Sequence, residues 1–358
     1  MSAPDPRTAP PVRALVVGLG AIGGLVMGGM LLHPPGVVEV VGLSTNAGIA
    51  DALDAQGFRL GGLRAPSVRF GAVARSVDAL QGPFSLIFLA VQPPQAVAAI
   101  REVAHLLADD GEVVLLQNGL PEDIIGEVVG HDRVIGAVVT WGASQEAPGV
   151  YAQTSPGGFI LGRANGQIDA KVEQVAALLN PVGEARPTDN IRGARWSKLA
   201  INASISTLGT LGGDTLGRLM RAAVVRRLFL EIVTETVAVA RAEGVKLAPV
   251  SSALDVGKLA LSVQERRGGP RLWLKHAVLV VVGMKYRRMR SSMLSAIERG
   301  RPPAVDLLNG EVVRRGAALG VSTPVNSRAT ALVHAIARGE EKMGMELVRR
   351  LAAEVGVA

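Results

Sequence analysis

Val12-Arg13-Ala14-Leu15-Val16-Val17-Gly18-Leu19-Gly20-Ala21-Ile22-Gly23 decides the fold. A short apolar run, the length of a buried strand, leads into glycines spaced Gly-x-Gly-x-x-Gly. The apolar texture then continues as far as Leu32. In a strand–turn–helix context each glycine has a separate use. Gly18 permits the tight turn, Gly20 lets a pyrophosphate approach the backbone, and Gly23 lets the helix pack closely on the strand. Ala21 and Ile22 fall in the first helical turn, whose unpaired N–H groups and positive dipole end suit phosphates. The same spacing in a glycine-rich chain also fits a purely structural turn, so the motif needs its context.

Arg13 to Leu32 also has the length and apolarity of a membrane span or an export signal. Six glycines (Gly18, Gly20, Gly23, Gly24, Gly28 and Gly29) interrupt it and make a poor autonomous helix. The export reading is set aside, and a cytoplasmic protein is expected. Ala277 to Val282 is too brief to cross a bilayer.

Outward from the glycine turn, the pattern repeats strand and helix. Strands are expected at Val12 to Val17, Val37 to Leu43, Val68 to Val73, Leu86 to Val91, Val113 to Gln117 and Val134 to Trp141. A helix is expected over Gln95 to Leu107, closed by Asp109-Asp110-Gly111. Strands alternating with helices imply a doubly wound, mostly parallel sheet. Val150 to Gln153 and Gly158 to Leu161 read as a hairpin, with Thr154-Ser155-Pro156-Gly157 as its turn. Ile168 to Leu179 reads as the last helix of this α/β domain.

Past Arg186-Pro187-Thr188-Asp189-Asn190 the texture becomes helical throughout. Trp196 to Leu211 opens an all-α domain. Arg221 to Glu243 follows, stopped by Gly244, and Ala304 to Leu319 is stopped by Gly320. Thr323-Pro324 starts another helix, with a hydroxyl at the cap and proline in the first turn. The expected organisation is a disordered extension over 1–11, a dinucleotide-binding domain over 12–188 and a helical substrate and catalytic domain over 189–358.

Composition narrows the chemistry. The 358 residues contain no cysteine, which excludes disulfides, thiolate catalysis and Cys-ligated metal. The five histidines lack metal-ligand spacing, and no metal is expected. The formal charge is +7, and much of the excess falls between Arg266 and Arg301. A solvated basic face is the expected reading. No zinc-ligand spacing or RNP-like aromatic run accompanies it, so neither nucleic acid nor membrane is expected as a partner.

The end of the second strand reads Leu43-Ser44-Thr45-Asn46, with no carboxylate to hold a ribose 2′-hydroxyl. Ser44 and Thr45 can instead accept a 2′-phosphate, which favours NADP. Trp196-Ser197-Lys198-Leu199-Ala200-Ile201-Asn202 carries the chemistry. On a helix Lys198, Asn202 and Ser206 share one face at i, i+4 and i+8. Apolar neighbours desolvate an ammonium and lower its pKa, so it can give up a proton near neutrality. Reducing a ketone needs such a donor for the developing alkoxide. On spacing alone, an ordinary surface lysine beside a core tryptophan is the better reading.

Five segments, in this order, resemble the ketopantoate (2-dehydropantoate) reductase family. They are the glycine turn, Leu115-Leu116-Gln117-Asn118-Gly119-Leu120, Trp196 to Asn202, Ser291-Ser292-Met293-Leu294, and Gly300 to Gly310. The resemblance spans nearly the whole chain. It implies an N-terminal Rossmann domain, a C-terminal helical domain, an active site in the cleft between them and reduction of a 2-oxo acid by NADPH. Lys198 matches the family's general acid. Asn118 and Asn202 match its cofactor- and substrate-contacting asparagines, and Ser292 its carboxylate-holding serine. Ser292 lies beside Arg287, Arg288 and Arg290, a setting suited to an anion, although a helix N-cap role fits it as well. Ser206 extends the substrate-contacting face, and a homodimer is the expected assembly.

The chain also departs from the family pattern. The family glutamate in Arg-Pro-Thr-Glu-Ile-Asp falls at Ala304, and the acid after Ser-Ser-Met-Leu is Ala296. The lysine closing the fourth Rossmann strand is Gln92. The second asparagine of the lysine helix is Ser206, and the arginine after the second strand aligns near Asn46. The activity implied is reduction of 2-dehydropantoate or a related 2-oxo acid. The alternative is a nucleotide-binding relative whose catalysis is lost or changed.

Overall fold

The computed structural model describes residues 10–250 and 255–357. The chain forms two compact units, one ending at Ile191 and the other beginning at Arg192. The extension expected over 1–11 falls for residues 1–9 outside the described residues.

The first unit is α/β. Its strands are β1 (Val12–Val17), β2 (Val38–Leu43), β3 (Phe58–Gly62), β4 (Ser67–Arg69), β5 (Ala72–Ala74), β6 (Phe84–Leu89), β7 (Leu107–Leu115), β8 (Val134–Val139), β9 (Gly142–Ala147), β10 (Val150–Ser155), β11 (Phe159–Gly162) and β12 (Ala185–Pro187). The principal sheet runs β12-β11-β8-β7-β6-β1-β2-β5. From β5 to β8 it is parallel, and β11 pairs antiparallel with β8. Helices α1 (Ala21–Met30), α2 (Ala47–Gln56), α3 (Ala96–Val103), α4 (Glu122–Val129) and α5 (Ala170–Leu179) complete the unit.

Both faces of the sheet are covered, as a parallel sheet requires. On β1, Ala14 and Val16 join a core with Leu25, Tyr151 and Val175, while Leu15 and Val17 join another with Ile100 and Ile125. That double burial explains why the strands read as unbroken apolar runs instead of alternating.

A second sheet, ordered β4-β3-β10-β9, packs on α1. It accounts for the glycines beyond the turn. A Cβ on Gly24 would lie 2.2 Å from the Tyr151 ring, and one on Gly28 would lie 2.7 Å from Leu60. Tyr151 Oη donates to the Leu19 carbonyl at 2.9 Å, pinning this sheet to the glycine turn.

The small sheet corrects several expectations. Val68 to Val73 is not one strand: Val68 lies in β4 of the small sheet and Val73 in β5 of the large one. Likewise β10 and β11 do not form a hairpin. β10 pairs with β9 and β3, and β11 with β8. The intervening turn is anchored on Thr140, whose hydroxyl accepts from the Gly158 N–H at 2.8 Å. The strand from Val134 stops at Val139, because Gly142 already belongs to β9. The helix after Gln95 is α-helical to Val103 and continues as a 3₁₀ turn to Leu106, close to its expected extent. Asp109-Asp110-Gly111 lie inside β7 as an irregularity, since Phe84 pairs with Leu107 but Leu86 with Glu112.

Every regular element described in the second unit is helical. The longer ones are α6 (Ile191–Gly212), α8 (Ala223–Ala242), α11 (Pro270–Lys285), α13 (Asn309–Ala318), α14 (Pro324–Ala337) and α15 (Met345–Glu354). Between them lie the short α7 (Leu216–Leu219), α9 (Val256–Leu259), α10 (Val263–Arg266) and α12 (Ser292–Glu298). Gly244 (φ +73°) and Gly320 (φ +68°) take the left-handed conformation expected past their helices.

The helix expected from Ala304 breaks at Leu308, where a short 3₁₀ turn gives way to α13. The break seats Asn309 in the interior. There it accepts from Thr207 of α6 at 2.5 Å and donates to Asn326 of α14 at 2.9 Å. Thr323 makes no side-chain cap on α14. The buried carboxylate of Glu235 does that work instead, accepting from the Val325 and Asn326 N–H groups at 2.9 Å each. An acceptor from another helix therefore replaces the local hydroxyl at a buried terminus. No described helix is long and apolar enough to cross a membrane.

Candidate active site

In the first unit the candidate cofactor residues collect along one edge of the principal sheet. Gly18 to Gly20 follow β1, Ser44 and Thr45 follow β2, Gln92 follows β6, and Asn118 follows β7. In neighbouring parallel strands these are all carboxyl ends, where open α/β sheets take their ligands.

The three motif glycines meet three different environments. Gly18 has φ +92°, and a Cβ there would press on Val91 at 2.8 Å. A Cβ on Gly23 would fall 1.9 Å from the Gly18 carbonyl oxygen and 3.0 Å from Ala90 Cβ, so helix and strand could not close. A Cβ on Gly20 would meet nothing within 4 Å. Gly20 is therefore not kept small by the protein's own packing. It is the N-cap of α1 and makes no side-chain cap bond. Ala21 and Ile22, in the first turn, are half-buried. This is an open backbone cradle at a helix N-terminus, which suits a pyrophosphate.

Ser44 is buried and its N–H donates to the Ala74 carbonyl at 3.0 Å, while Thr45 is exposed. Asn46 caps α2, its side chain accepting from the Ile49 N–H at 3.1 Å. Sequence reading passed over Arg75. It directly follows β5, beside Ser44 in register, and ion-pairs with Asp54 at 2.7 Å and with Asp51. Only a long-range strand pairing puts it there, so no local motif announces it. Asn118 is exposed just past β7, and the next residue, Gly119, has φ +92°.

In the second unit, α6 presents a single partly open stripe. From Gly193 to Leu211, only Lys198, Ile201, Asn202, Ile205 and Ser206 escape full burial. The i, i+4, i+8 row of ammonium, amide and hydroxyl is thus the least enclosed face of the helix, half-buried and edged by two isoleucines. Burial lowers the Lys198 ammonium pKa to about 8, with like-charge repulsion from Arg195 as a smaller cause. Beneath the stripe, Trp196 is fully buried under the Arg315 guanidinium, which stands 6.0 Å from the ring centroid and is held by Glu311 and Glu243.

The Ser291-Ser292 pair docks at the far end of the stripe. Ser291, not Ser292, is the N-cap of α12, accepting from the Leu294 N–H at 3.1 Å. Its hydroxyl also donates to the Ser206 carbonyl at 2.8 Å. Gly209 permits the approach, since a Cβ there would fall 2.9 Å from Ser291 Cβ. Ser292 is left exposed in the first turn, one residue from this anchor. Lys198, Asn202, Ser206 and the α12 N-terminus therefore form one neighbourhood. Asn309, five residues past Ala304, meets Thr207 of α6 in the interior, and Ala304 itself offers only a methyl group.

A dinucleotide-type α/β unit and an all-helical unit bearing a lysine of depressed pKa suit an oxidoreductase acting on a carbonyl. The comparisons with known proteins agree. Residues 14–166 match the model described as ketopantoate reductase PanE/ApbA, and residues 190–337 match that of its C-terminal region. The chain belongs to the ketopantoate reductase family.

It is 27% identical over 334 residues to the 2-dehydropantoate 2-reductase of Pyrococcus abyssi, covering 93% of this chain and 99% of that one. The crystal structure of a PanE/ApbA family ketopantoate reductase from Ralstonia eutropha superposes with a TM-score of 0.77 at 26% identity, covering 92% and 100%. A D-mandelate dehydrogenase solved with NADH and anilino(oxo)acetate shares the fold, at TM-score 0.76 and 22% identity over 92% of this chain and 99% of that one.

Proposed function

We propose that this protein reduces a 2-oxo acid to the 2-hydroxy acid with NADPH, 2-dehydropantoate or a close relative being the substrate. The observation that carries the reading is the open stripe of α6, with the depressed pKa of Lys198 at its head. The bound cofactor supplies a hydride to the keto carbon. The Lys198 ammonium gives its proton to the oxygen that becomes the hydroxyl, and is left as a neutral amine for solvent to reprotonate. A pKa near the working pH suits a group that must both hold and release that proton.

Asn202, one turn along, orients the lysine or the substrate oxygen, and Ser206 extends the polar row. Ser292, exposed in the first turn of α12, receives the carboxylate. In the first unit, Gly18, Gly20, Ala21, Ile22 and Gly23 hold the pyrophosphate, and Asn118 borders the nicotinamide. Ser44 and Thr45, with Arg75 next to them, take the 2′-phosphate. The absence of a carboxylate after β2 supports NADPH over NADH.

Ala304 supports a substrate that makes no demand on a carboxylate at that position. A panel of branched, linear and aromatic 2-oxo acids, followed by NADPH oxidation, tests the proposal. Turnover of at least one, dependent on Lys198, is expected. Tight NADPH binding with no turnover of any would instead favour a nucleotide-binding relative without this catalysis.

A further inference from the structure

A second site lies in the helical unit, lined by none of the residues given a role in the proposed reaction, although Arg287, Arg288 and Arg290, which precede Ser292 in sequence, border it. A half-open cavity of about 890 Å³ sits between the turn around α7 and the C-terminal half of α11. Its apolar lining includes Met220, Val280 and Met284, and its cationic lining includes Arg221, Arg287 and Arg288. Close backbone approaches build it. A Cβ on Gly283 would lie 2.6 Å from Met220 Cβ, a Cβ on Gly217 would lie 2.6 Å from Arg287 Cα, and the Leu216 N–H donates to the Met289 carbonyl at 2.9 Å.

Charge separates this cavity from an ordinary solvated surface. Two further arginines at its rim have acidic partners, Arg218 with Asp214 at 3.5 Å and Arg290 with Glu298 at 2.8 Å. Arg221, Arg287 and Arg288 have none among the described residues. Three guanidinium groups without counter-charge border one apolar-floored hollow. Guanidinium forks match phosphate oxygens in geometry as well as charge.

The apolar surface does not stop at the cavity. Trp273, Ala277, Val280 and Met284 recur at i, i+4, i+7 and i+11, so they share one face of α11. Leu274 and Val281 widen it. Trp273 is 74% exposed, Leu274 61%, Val281 58% and Met284 62%. From Met284 back to Trp273 the helix rises about 16 Å, the reach of a chain of roughly a dozen methylenes. A cationic pocket at one end of an apolar track this long has the shape of a single amphiphile.

We propose that this face binds a phosphate-bearing amphiphile, with its phosphate among Arg221, Arg287 and Arg288 and its chain laid along α11. A small hydrophilic anion would leave the track unexplained.

The test uses the full chain and its own fluorophore. Trp141 is 5% exposed and Trp196 1%, so a change in tryptophan emission on binding reports chiefly on Trp273. Dodecyl phosphate, below its micelle concentration, is expected to shift the emission to the blue saturably. It should bind at least about tenfold tighter than dodecyl maltoside, which carries the same chain without charge, whereas inorganic phosphate should leave the emission unmoved. Arg221→Glu should weaken dodecyl phosphate about tenfold or more and leave dodecyl maltoside unchanged.

Phosphatidylglycerol vesicles set against phosphatidylcholine vesicles identify the source. Binding to the former as well as to dodecyl phosphate means a lipid headgroup supplies the phosphate. Binding of the monomeric amphiphile alone means a free ligand. Equal affinity for both dodecyl compounds, no emission shift with dodecyl phosphate, or concentration-dependent self-association that shields Trp273 without ligand would each overturn the proposal.

Discussion

Gly20→Ala separates a glycine kept for a ligand from one kept for packing. The backbone at Gly20 (φ −73°, ψ −164°) is extended and open to any residue, and a Cβ there meets nothing within 4 Å. The folded protein should therefore tolerate the methyl group. Alanine is a poorer N-cap than glycine, and that preference costs at most about 1 kcal/mol. For a domain of this size such a loss lowers the melting temperature by roughly 2–4 °C.

Gly23→Ala is the contrast. Its Cβ would fall 1.9 Å from the Gly18 carbonyl oxygen, an overlap that backbone must move to relieve, at about 1–3 kcal/mol. Dinucleotide affinity should order the variants differently. In Gly20→Ala the methyl occupies the space assigned to the pyrophosphate, and a loss of tenfold or more corresponds to about 1.4 kcal/mol. Thermal melting and titration of nicotinamide fluorescence measure the two effects independently. A Gly20→Ala protein that binds NADPH as tightly as the wild type would refute the cradle. One that melts as low as Gly23→Ala would show that packing had been misread.

Other outcomes follow from buried charge. Lys198 titrates in the fold at about 8 against an ordinary 10.5, so its burial costs up to about 3 kcal/mol while both states are protonated. Lys198→Met should thus stabilise the protein at pH 7 by about 1–3 kcal/mol. In wild type the penalty should lift as pH rises from about 8 to 10.5, where the folded state is the one that has lost its proton; chemical denaturation across pH reads this directly. As the proton donor, Lys198 should also hold the reduction rate level below about pH 8 and let it fall above. Arg163 is buried with Glu112 and also binds the Asp132 carbonyl and Asp169. Arg163→Met should cost about 3–5 kcal/mol by stranding the Glu112 carboxylate, seen as a lower denaturant midpoint. Glu235→Ala uncaps α14 in the interior and should cost about 2–4 kcal/mol, with amide exchange quickening first at Val325 and Asn326.

The parts of this fold written locally in the sequence are those that rest on local physics. β1, its glycine turn and α1 follow from an apolar run meeting three differently used glycines. The all-helical second unit follows from periodicity and from left-handed stops such as Gly244 and Gly320. The small sheet escaped because its strands carry little local signal. β9 reads Gly-Ala-Ser-Gln-Glu-Ala and is at most half-buried, and β10, which it meets across a tight turn, pairs on its other side with the distant β3. Gly24 and Gly28 are small because of Tyr151 and Leu60, which no nearby residue reveals.

The same division holds at the candidate site. The row Lys198, Asn202, Ser206 is visible as helical spacing. That it is the open stripe of an otherwise buried helix depends on how α6 is enclosed. The choice between Ser291 and Ser292 as the cap turned on a contact with Ser206, and Arg75 came to the β2 edge through strand pairing. Neither is encoded in adjacent letters.

The central claim is that Lys198 delivers the proton that completes carbonyl reduction. Single-turnover NADPH oxidation by wild type and by Lys198→Ala, with cofactor and a turned-over 2-oxo acid both saturating, tests it most directly. The account predicts a loss of about 10²- to 10⁴-fold in the rate with cofactor affinity retained. An undiminished rate in the variant would contradict it.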